Sequence, residues 1–210
     1  LRRSILPGGE VRRLEYDALG SVTQLTDYDG QTTTFEYDAA GRLVRRRFPD
    51  NTEVRFTYSP GGKRTTEQDA RGTTSYHYDA NGLLSRIDQP AAGSVEYSYD
   101  LAGRVTAVTT PSDTTSYTYD GLSRLSAAQT STGTTSYRYD LAGNLLGYSM
   151  PNGVTATMGY DGRNQMTSLA YERAGTVLSA FGYTYTPAGR RAPASEPPAV
   201  STFSYDPIGR

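Results

Sequence analysis

Tyr99-Asp100-Leu101-Ala102-Gly103-Arg104 is one copy of a six-residue motif that recurs along the whole chain. The motif consists of Tyr-Asp, two variable residues, Gly and, in many copies, a basic residue. Its tyrosines are Tyr16, Tyr37, Tyr58, Tyr78, Tyr99, Tyr119, Tyr139, Tyr160, Tyr185 and Tyr205. Successive motif tyrosines are separated by 20 or 21 residues, except for one step of 25. A fixed period of this length predicts stacked supersecondary units, each of which contacts mainly its neighbours.

The residues before each motif alternate between aromatic and polar side chains, which is typical of a strand with one buried face. Thr, Ser, Arg and Glu fill the positions between the aromatic residues, so the opposite face is polar. The aromatic pairs are Phe35/Tyr37, Phe56/Tyr58, Tyr76/Tyr78, Tyr97/Tyr99, Tyr117/Tyr119, Tyr137/Tyr139, Tyr183/Tyr185 and Phe203/Tyr205, with Met158/Tyr160 as a weaker version. The pattern predicts a half-solvated antiparallel sheet with two strands per repeat.

The motif itself is predicted to be the turn between two strands. An aspartate at the start of a turn can accept hydrogen bonds from backbone N–H groups two or three residues later. The glycine supplies the positive φ that ends a type I turn with a bulge. The motif aspartates are Asp17, Asp38, Asp79, Asp100, Asp120, Asp140, Asp161 and Asp206. The glycines are Gly20, Gly41, Gly62, Gly82, Gly103, Gly143, Gly189 and Gly209, and the arginines are Arg42, Arg104, Arg124, Arg190 and Arg210. All of these are predicted to be structural repeat residues.

Departures from the motif fit the same turn. Asn164 and Ser123 replace the glycine, and asparagine tolerates the left-handed conformation better than serine does. Ser59 can replace the aspartate as an acceptor, and Thr186 can do so more weakly. Turns at the opposite end of the hairpins are more varied, and they contain Asp29-Gly30, Pro49-Asp50-Asn51, Pro90-Ala-Ala-Gly93, Pro111-Ser-Asp113 and Asn152-Gly153.

Cutting after each motif predicts ten repeats: 1–21, 22–42, 43–63, 64–83, 84–104, 105–124, 125–144, 145–165, 166–190 and 191–210. The longer repeat 166–190 is expected to extend its hairpin around Arg173-Ala174-Gly175. Three prolines, Pro193, Pro197 and Pro198, predict short or irregular strands in the last repeat. Because both ends of the chain lie in mid-ribbon, we expect these residues to be an excerpt of a longer array.

Composition limits the function. The formal net charge is −1, so no overall field favours nucleic acid or anionic lipid. No apolar run reaches membrane-spanning length. Cysteine is absent, which rules out a disulfide framework or a thiol nucleophile. No cofactor, nucleic acid or membrane span is predicted.

The residues that could carry chemistry fit structural positions better than a catalytic, metal-binding or phosphate-binding site. His77 is the only histidine, so no Ser-His-Asp set or histidine metal cluster can form around it. Asp27-Tyr28-Asp29-Gly30 lacks the later ligands of a calcium loop. The stretch 59–64 lacks the spacing of a phosphate loop. Arg45-Arg46-Arg47 is interpreted as a solvated strand face. No enzyme is therefore predicted.

The recurring Tyr-Asp-x-x-Gly-Arg motif resembles the YD (RHS) repeats. These repeats occur in bacterial Rhs and wall-associated polymorphic toxins, in the shell subunits of insecticidal Tc toxin complexes and in animal teneurins. The resemblance covers the whole chain. It implies an all-β fold in which tandem antiparallel hairpins form a long curling ribbon, part of a spiral hollow shell. In the toxin members, that shell encloses a C-terminal toxic domain until delivery.

Two functions follow from the resemblance. The first is a structural wall segment of an encapsulating toxin shell, exported to the medium or the cell surface of a bacterium. Its partners would be the remaining repeats of the parent chain and the enclosed toxin domain. The alternative is a cell-surface adhesion or carbohydrate-binding scaffold, because rows of tyrosine can stack on sugars where the aromatic face is reachable. That alternative requires exposed tyrosine rings and hydroxyls.

Overall fold

The computed structural model describes residues 2–5, 11–191, 194–195 and 200–201. Across these ranges it contains twenty β-strands and no helix, which confirms the predicted all-β class. The chain divides into two compact units. The first runs to Arg104 and includes Val108–Ser112, and the second comprises Val105–Ala107 and the chain from Asp113 onward.

The first unit is a meander of ten antiparallel strands in which every strand pairs with the next one in sequence. The strands are β1 (Arg2–Ile5), β2 (Val11–Tyr16), β3 (Val22–Thr26), β4 (Thr32–Tyr37), β5 (Leu43–Arg47), β6 (Glu53–Tyr58), β7 (Arg64–Asp69), β8 (Gly72–Tyr78), β9 (Leu84–Gln89) and β10 (Gly93–Tyr99). Strand β11 (Val105–Thr109) has residues in both units.

The second unit continues the same pattern, again with antiparallel pairing between successive strands. Its strands are β12 (Thr114–Tyr119), β13 (Leu125–Thr130), β14 (Gly133–Tyr139), β15 (Leu145–Ser149), β16 (Val154–Tyr160), β17 (Met166–Arg173), β18 (Thr176–Gly182), β19 (Ala194–Ser195) and β20 (Val200–Ser201). Within the described residues the last two strands are each two residues long. Pro193, Pro197, Pro198 and Phe203 lie outside the described residues.

The predicted bulge is present in the motif turns. The pairing register shifts by one residue immediately before the motif tyrosine, for example between Glu36 and Tyr37, so that Tyr37 lies opposite Leu43. The same shift precedes Tyr58 and Tyr139. A bulge adds one residue to one strand and increases the local twist. Each motif turn therefore closes its two strands with a defined offset.

The two faces of the strands differ as predicted. Along β8, Tyr76 and Tyr78 are half-buried whereas His77 between them is exposed. Burial is shallow because each unit is a single sheet: among the described residues only Ala156 and Met158 are buried hydrophobic side chains. We call the side that carries the alternating aromatic residues the aromatic face and the other side the polar face. The aromatic face is only partly covered within each unit.

The turns opposite the motifs also lie where they were predicted. In the long hairpin of β17 and β18, Ala174 and Gly175 form a two-residue turn in which both have positive φ, 48° and 78°. Asn51 has φ 66° and Gly153 has φ 82° in the two turns that follow Phe48 and Met150. Positive φ at the end of these turns is the reason that Asn and Gly occur there.

Candidate functional site

The candidate site is the set of motif turns, and Asp38 illustrates their geometry. The backbone N–H of Asp38 donates to the carbonyl of Arg42 over 2.9 Å, and Gly41 N donates to Asp38 O over 2.9 Å. The Asp38 Oδ1 atom accepts from the N–H groups of Ala40 and Arg42, both at 2.9 Å. The sequence predicted donors two or three residues later, whereas the observed donors lie two and four residues later. The N–H three residues later, that of Gly41, is already used, because it donates to the Asp38 carbonyl and closes the type I turn.

Position five of the motif requires a left-handed backbone. Gly41 has φ 74° with no atom within 4 Å of the position where a Cβ would lie, so the backbone conformation, and not crowding, selects glycine there. Asn164 and Ser123 occupy the same position with φ 60° and 64°. These values agree with the predicted replacement of glycine by residues that form a left-handed turn.

The motif arginine binds its own turn. The Nε atom of Arg42 donates to Asp38 Oδ2 over 2.7 Å, and Arg104 and Arg124 make the same bond to Asp100 and Asp120 over 2.7 Å. One carboxylate therefore accepts two backbone N–H groups and a guanidinium. These donors lower the pKa of the aspartate: for Asp38 the backbone N–H of Arg42 is the largest cause, and for Asp100 it is the Arg104 side chain.

The same arginine also reaches the next turn along the chain. The Arg124 guanidinium lies over the Tyr139 ring, 4.6 Å from its centroid, and donates to the carbonyl of Asp140 over 2.7 Å. Arg42 lies 5.0 Å from the Tyr58 ring centroid and donates to Ser59 O over 3.2 Å. A cation over a tyrosine ring is attracted by the ring quadrupole. Position six is therefore a link between repeats, which the sequence did not predict.

Other residues at position six have shorter side chains than arginine and also contact the next turn. Lys63 donates to the carbonyl of Gly82, and its Nζ atom is 5.1 Å from the Tyr78 ring centroid. Asn144 donates to Asn164 Oδ1 over 2.8 Å. The weaker acceptors predicted at position two each bind one N–H at 3.2 Å: Ser59 accepts from Lys63 and Thr186 accepts from Arg190.

The motif tyrosine hydroxyl ties each turn to the preceding one. In seven repeats it donates to the carbonyl of the residue that follows the previous motif, over 2.7 to 3.0 Å. The pairs are Tyr37–Val22, Tyr58–Leu43, Tyr78–Arg64, Tyr99–Leu84, Tyr119–Val105, Tyr160–Leu145 and Tyr185–Met166. Burial also raises the pKa of Tyr37 and Tyr99.

The predicted repeat residues are therefore brought together turn by turn, in a row along the motif end of the hairpins in each unit. We call this row the motif edge. Tyr16, Asp17 and Gly20 start it, and Asp79, Asp140 and Asp161 occupy equivalent turns. The hydroxyl of Tyr139 makes no such bond within the described residues. Tyr205, Asp206, Gly209 and Arg210 lie outside the described residues.

The chemical alternatives weighed from the sequence have ordinary structural partners. His77 Nε2 lies 2.9 Å from Asp88 Oδ2 on the exposed polar face. Asp27 accepts from Asp29 N and Gln31 N and so caps a turn. Within the described ranges no group of three or more His, Cys, Asp or Glu side chains could hold a metal ion. The same described ranges contain no helix with the length and hydropathy needed to span a membrane.

The interpretation of Arg45-Arg46-Arg47 as one solvated strand face holds in part: Arg46 and Arg47 are exposed, but Arg45 is half-buried and the three side chains do not share one face. Arg45 bridges Glu36 and Glu53 with N–O distances of 3.0 and 2.7 Å. Arg46 points to the opposite, aromatic face and lies over the rings of Phe48 and Phe35, 4.4 and 5.7 Å from their centroids. Strand alternation could have revealed the split, because consecutive residues of a strand point to opposite faces.

Comparisons with known proteins agree with this fold. The sequence profile described as RHS Repeat matches residues 16–53, 37–74, 78–115 and 103–135, more than half of the chain. No curated protein sequence matches. The crystal structure of TcdB2-TccC3-TEV is similar over 99% of this chain, with TM-score 0.81 and 14% sequence identity, and the match covers 13% of that chain.

Two further solved structures are similar. The Photorhabdus luminescens Tc holotoxin pore matches over 90% of this chain with TM-score 0.58 and 18% identity, covering 13% of its own chain. The TcdB2-TccC3 crystal structure matches over 89% with TM-score 0.56 and 18% identity, covering 14% of its own chain. The chain thus spans about one eighth of the length of these structures, and at these identities the similarity concerns the fold.

Proposed function

Because the chain belongs to the RHS repeat family, we propose that it is a wall segment of a shell that encapsulates a C-terminal toxin domain for delivery. Its role is structural, as the repeats and the similarity to Tc toxin chains indicate. The chain is proposed to be an excerpt of ten repeats from a longer array. The parent protein is proposed to be bacterial and exported, either secreted or held at the cell surface.

The observation that carries this proposal is how the motif side chains are used. Tyrosine hydroxyls bind the preceding turn, and arginines bind their own aspartate and the following turn. These groups are consumed in joining repeats, as expected of a wall, and do not converge on a substrate. The aromatic face meanwhile stays half-exposed along β6, β8 and β14. Such a face calls for a covering layer, and an enclosed domain would supply one.

The test is an electron-microscopy particle image of the natural full-length protein, combined with limited proteolysis. A hollow closed particle with internal density, together with a C-terminal fragment that resists protease until the shell is opened, is the expected result. A variant truncated after the repeats is the control, since its shell should be empty. An open particle without a protected fragment would refute encapsulation.

A second candidate function is carbohydrate binding by a surface scaffold. It is favoured by non-motif tyrosines such as Tyr97 and Tyr117, whose rings are half-exposed and whose hydroxyls have no hydrogen-bond partner among the described residues. The motif hydroxyls of Tyr99 and Tyr119 are already engaged, whereas the Tyr97 and Tyr117 hydroxyls can still bind a sugar. A glycan array screened with wild type and with Tyr97→Ala tests it, and binding unchanged by the substitution would rule out this site.

A further inference from the structure

Arg46 has a partner set unlike that of any motif arginine. On strand β5 it lies opposite Phe35 of β4 and Val54 of β6, both on the aromatic face. Its guanidinium lies over the Phe48 ring at 4.4 Å and over the Phe35 ring at 5.7 Å. Within the described residues, Arg46 makes no hydrogen bond and no ion pair. Aromatic contacts thus position the charge without neutralising it.

A surface cavity of about 470 Å³ opens beside this guanidinium and is lined in part by Phe48, Val54 and Phe56. Three carboxylates also line it, and each is already engaged by an arginine. The pairs are Glu53 with Arg45 and Arg55, Glu67 with Arg64, and Asp69 with Arg71, all at 2.6 to 2.9 Å. Arg46 is therefore the one lining charge, among the described residues, that lacks a counter-charge. The cavity combines an apolar wall with a single unmatched cation.

A guanidinium binds a carboxylate through two parallel N–H bonds in its own plane, which leaves its faces free to stack on rings. Stacking also limits the rotamers of the arginine, so less conformational entropy is lost when an anion binds. The apolar wall fits a neighbouring hydrophobic side chain. The ligand that matches both features is an acidic residue next to an apolar one in an extended peptide.

We propose that Arg46, together with Phe48, Val54 and Phe56, forms a binding site for an acidic side chain flanked by an apolar residue. The occupant is a peptide segment of the enclosed domain, an identification that rests on the proposed encapsulating function. The site lies on the half-exposed aromatic face, which needs a covering partner, and its unmatched positive charge selects an anionic one. It gives the wall a specific contact with its cargo in addition to containment.

The test is a fluorescence-anisotropy titration of the 210-residue chain with a dansyl-labelled peptide of sequence Glu-Leu-Phe-Glu. The peptide Gln-Leu-Phe-Gln, which has the same shape without the charge, is the ligand control. Arg46→Gln removes the proposed cation, and Arg47→Gln removes the neighbouring charge on the polar face, so both variants have the same net charge. Circular dichroism melts verify that every variant is folded.

We expect Arg46→Gln to weaken binding of the Glu peptide about tenfold, as loss of a charge-assisted pair implies. Arg47→Gln should leave the affinity within about twofold, as for a distant surface charge. Arg46→Lys keeps the charge but not the planar fork, so an intermediate affinity is expected. If Arg46→Gln does not fold, the comparison of Arg46→Lys with wild type decides the question.

Equal binding of the Glu and Gln peptides, equal effects of Arg46→Gln and Arg47→Gln, or no binding of the Glu peptide would each overturn the proposal. These outcomes are separate from failure of the proposed function. A closed shell with a protected domain but no Arg46-dependent binding removes only this site. Arg46-dependent binding without a protected domain keeps the anion site and removes the enclosed domain as its occupant.

Discussion

Seven of the motif tyrosines combine a half-buried ring with a hydroxyl that has a fixed partner. In Tyr99 the hydroxyl donates to Leu84 O over 2.8 Å, and that carbonyl belongs to the residue immediately after the previous motif. Phenylalanine would keep the ring and leave the carbonyl without this donor. The hydroxyl explains why position one is tyrosine, whereas the aromatic position two residues earlier also takes phenylalanine.

Tyr99→Phe should therefore lower the free energy of unfolding by about 1 kcal/mol, the usual net contribution of one hydrogen bond. The matched control is Tyr97→Phe, on the same strand and face, because the Tyr97 hydroxyl has no partner in the described ranges. Urea unfolding followed by circular dichroism measures both. Equal effects of the two substitutions would contradict a role for the hydroxyl.

Gly41 provides a test of the turn backbone. Its φ of 74° and the empty space around it mean that Gly41→Ala adds conformational strain without a clash, so a loss of about 1 kcal/mol is expected. Gly121 lies in an equivalent turn, outside the left-handed region and also with open space around it. Gly121→Ala should consequently be neutral or slightly stabilising. Thermal unfolding of the two variants gives the comparison.

The motif aspartates should make the protein acid-sensitive. Backbone N–H groups and arginine lower the pKa of Asp38, Asp100 and Asp120 in the folded chain. An unfolded aspartate has a pKa of about 3.9. The stabilisation is therefore complete above about pH 4 and is lost as the pH falls through the lower folded values, where the folded carboxylates become protonated.

Melting temperatures measured from neutral to strongly acidic pH check this direction. Asp100→Asn keeps an oxygen acceptor for the backbone but cannot change its charge. The variant should be less stable at neutral pH and should lose less stability in acid than wild type does. A parallel decline in both proteins would contradict the assignment.

At the scale of hairpins, the residue at position six joins one turn to the next. Arg124 contacts Asp120 of its own turn and both the ring of Tyr139 and the carbonyl of Asp140 in the following turn. Because these partners partly shield it from water, the contact should stabilise more than an exposed ion pair does.

Arg124→Gln is expected to lower the melting temperature measurably, since it removes the cation from three partners. Arg12→Gln is the control, because Arg12 is exposed on β2 and has no partner among the described residues. Both substitutions remove one positive charge. A decrease of the same size in both would indicate a general charge effect instead of a link between repeats.

The hairpin turns could be predicted from the sequence because their determinants are local. Asp38 and Gly41 lie within one motif, and the backbone conformation follows from those residue types. The links between turns could not be predicted, because they depend on the cross-strand offset created by each bulge. That offset places Arg42 next to the Tyr58 ring, 16 residues later. Arg46 was missed because a run of three arginines was treated as one face.

On the scale of the whole chain, each strand contacts the strands next to it in sequence and no others among the described elements of each unit. Such an array has nearly additive stability, with one contribution per repeat and one per interface between repeats. Its least stable part should be where an interface is smallest. Among the described residues of the second unit this is the junction of β18 and β19, which pair there at Gly182 and Ser195 alone.

Native-state hydrogen exchange can verify this order of stability. Amides of β15 and β16, which are paired on both sides, should exchange more slowly than those of β18, since local opening requires less free energy where fewer contacts are broken. Raising the denaturant concentration should make the exchange rates of these two groups of amides converge, because exchange then occurs through global unfolding. Uniform protection across the second unit would contradict the additive picture.

The direct turn connections between paired strands also determine how the chain responds to mechanical force. Because the strands from β2 to β18 are each joined to the next by a turn of a few residues, tension on the two ends of this part of a unit loads the hydrogen bonds one pair at a time, as in opening a zipper. When the force acts along the strand direction, all hydrogen bonds between two strands are loaded together and resist it. In this fold the hydrogen bonds would break one after another at low force. The fold would thus yield progressively, in steps of one hairpin, to any machinery that pulls on an end of the chain.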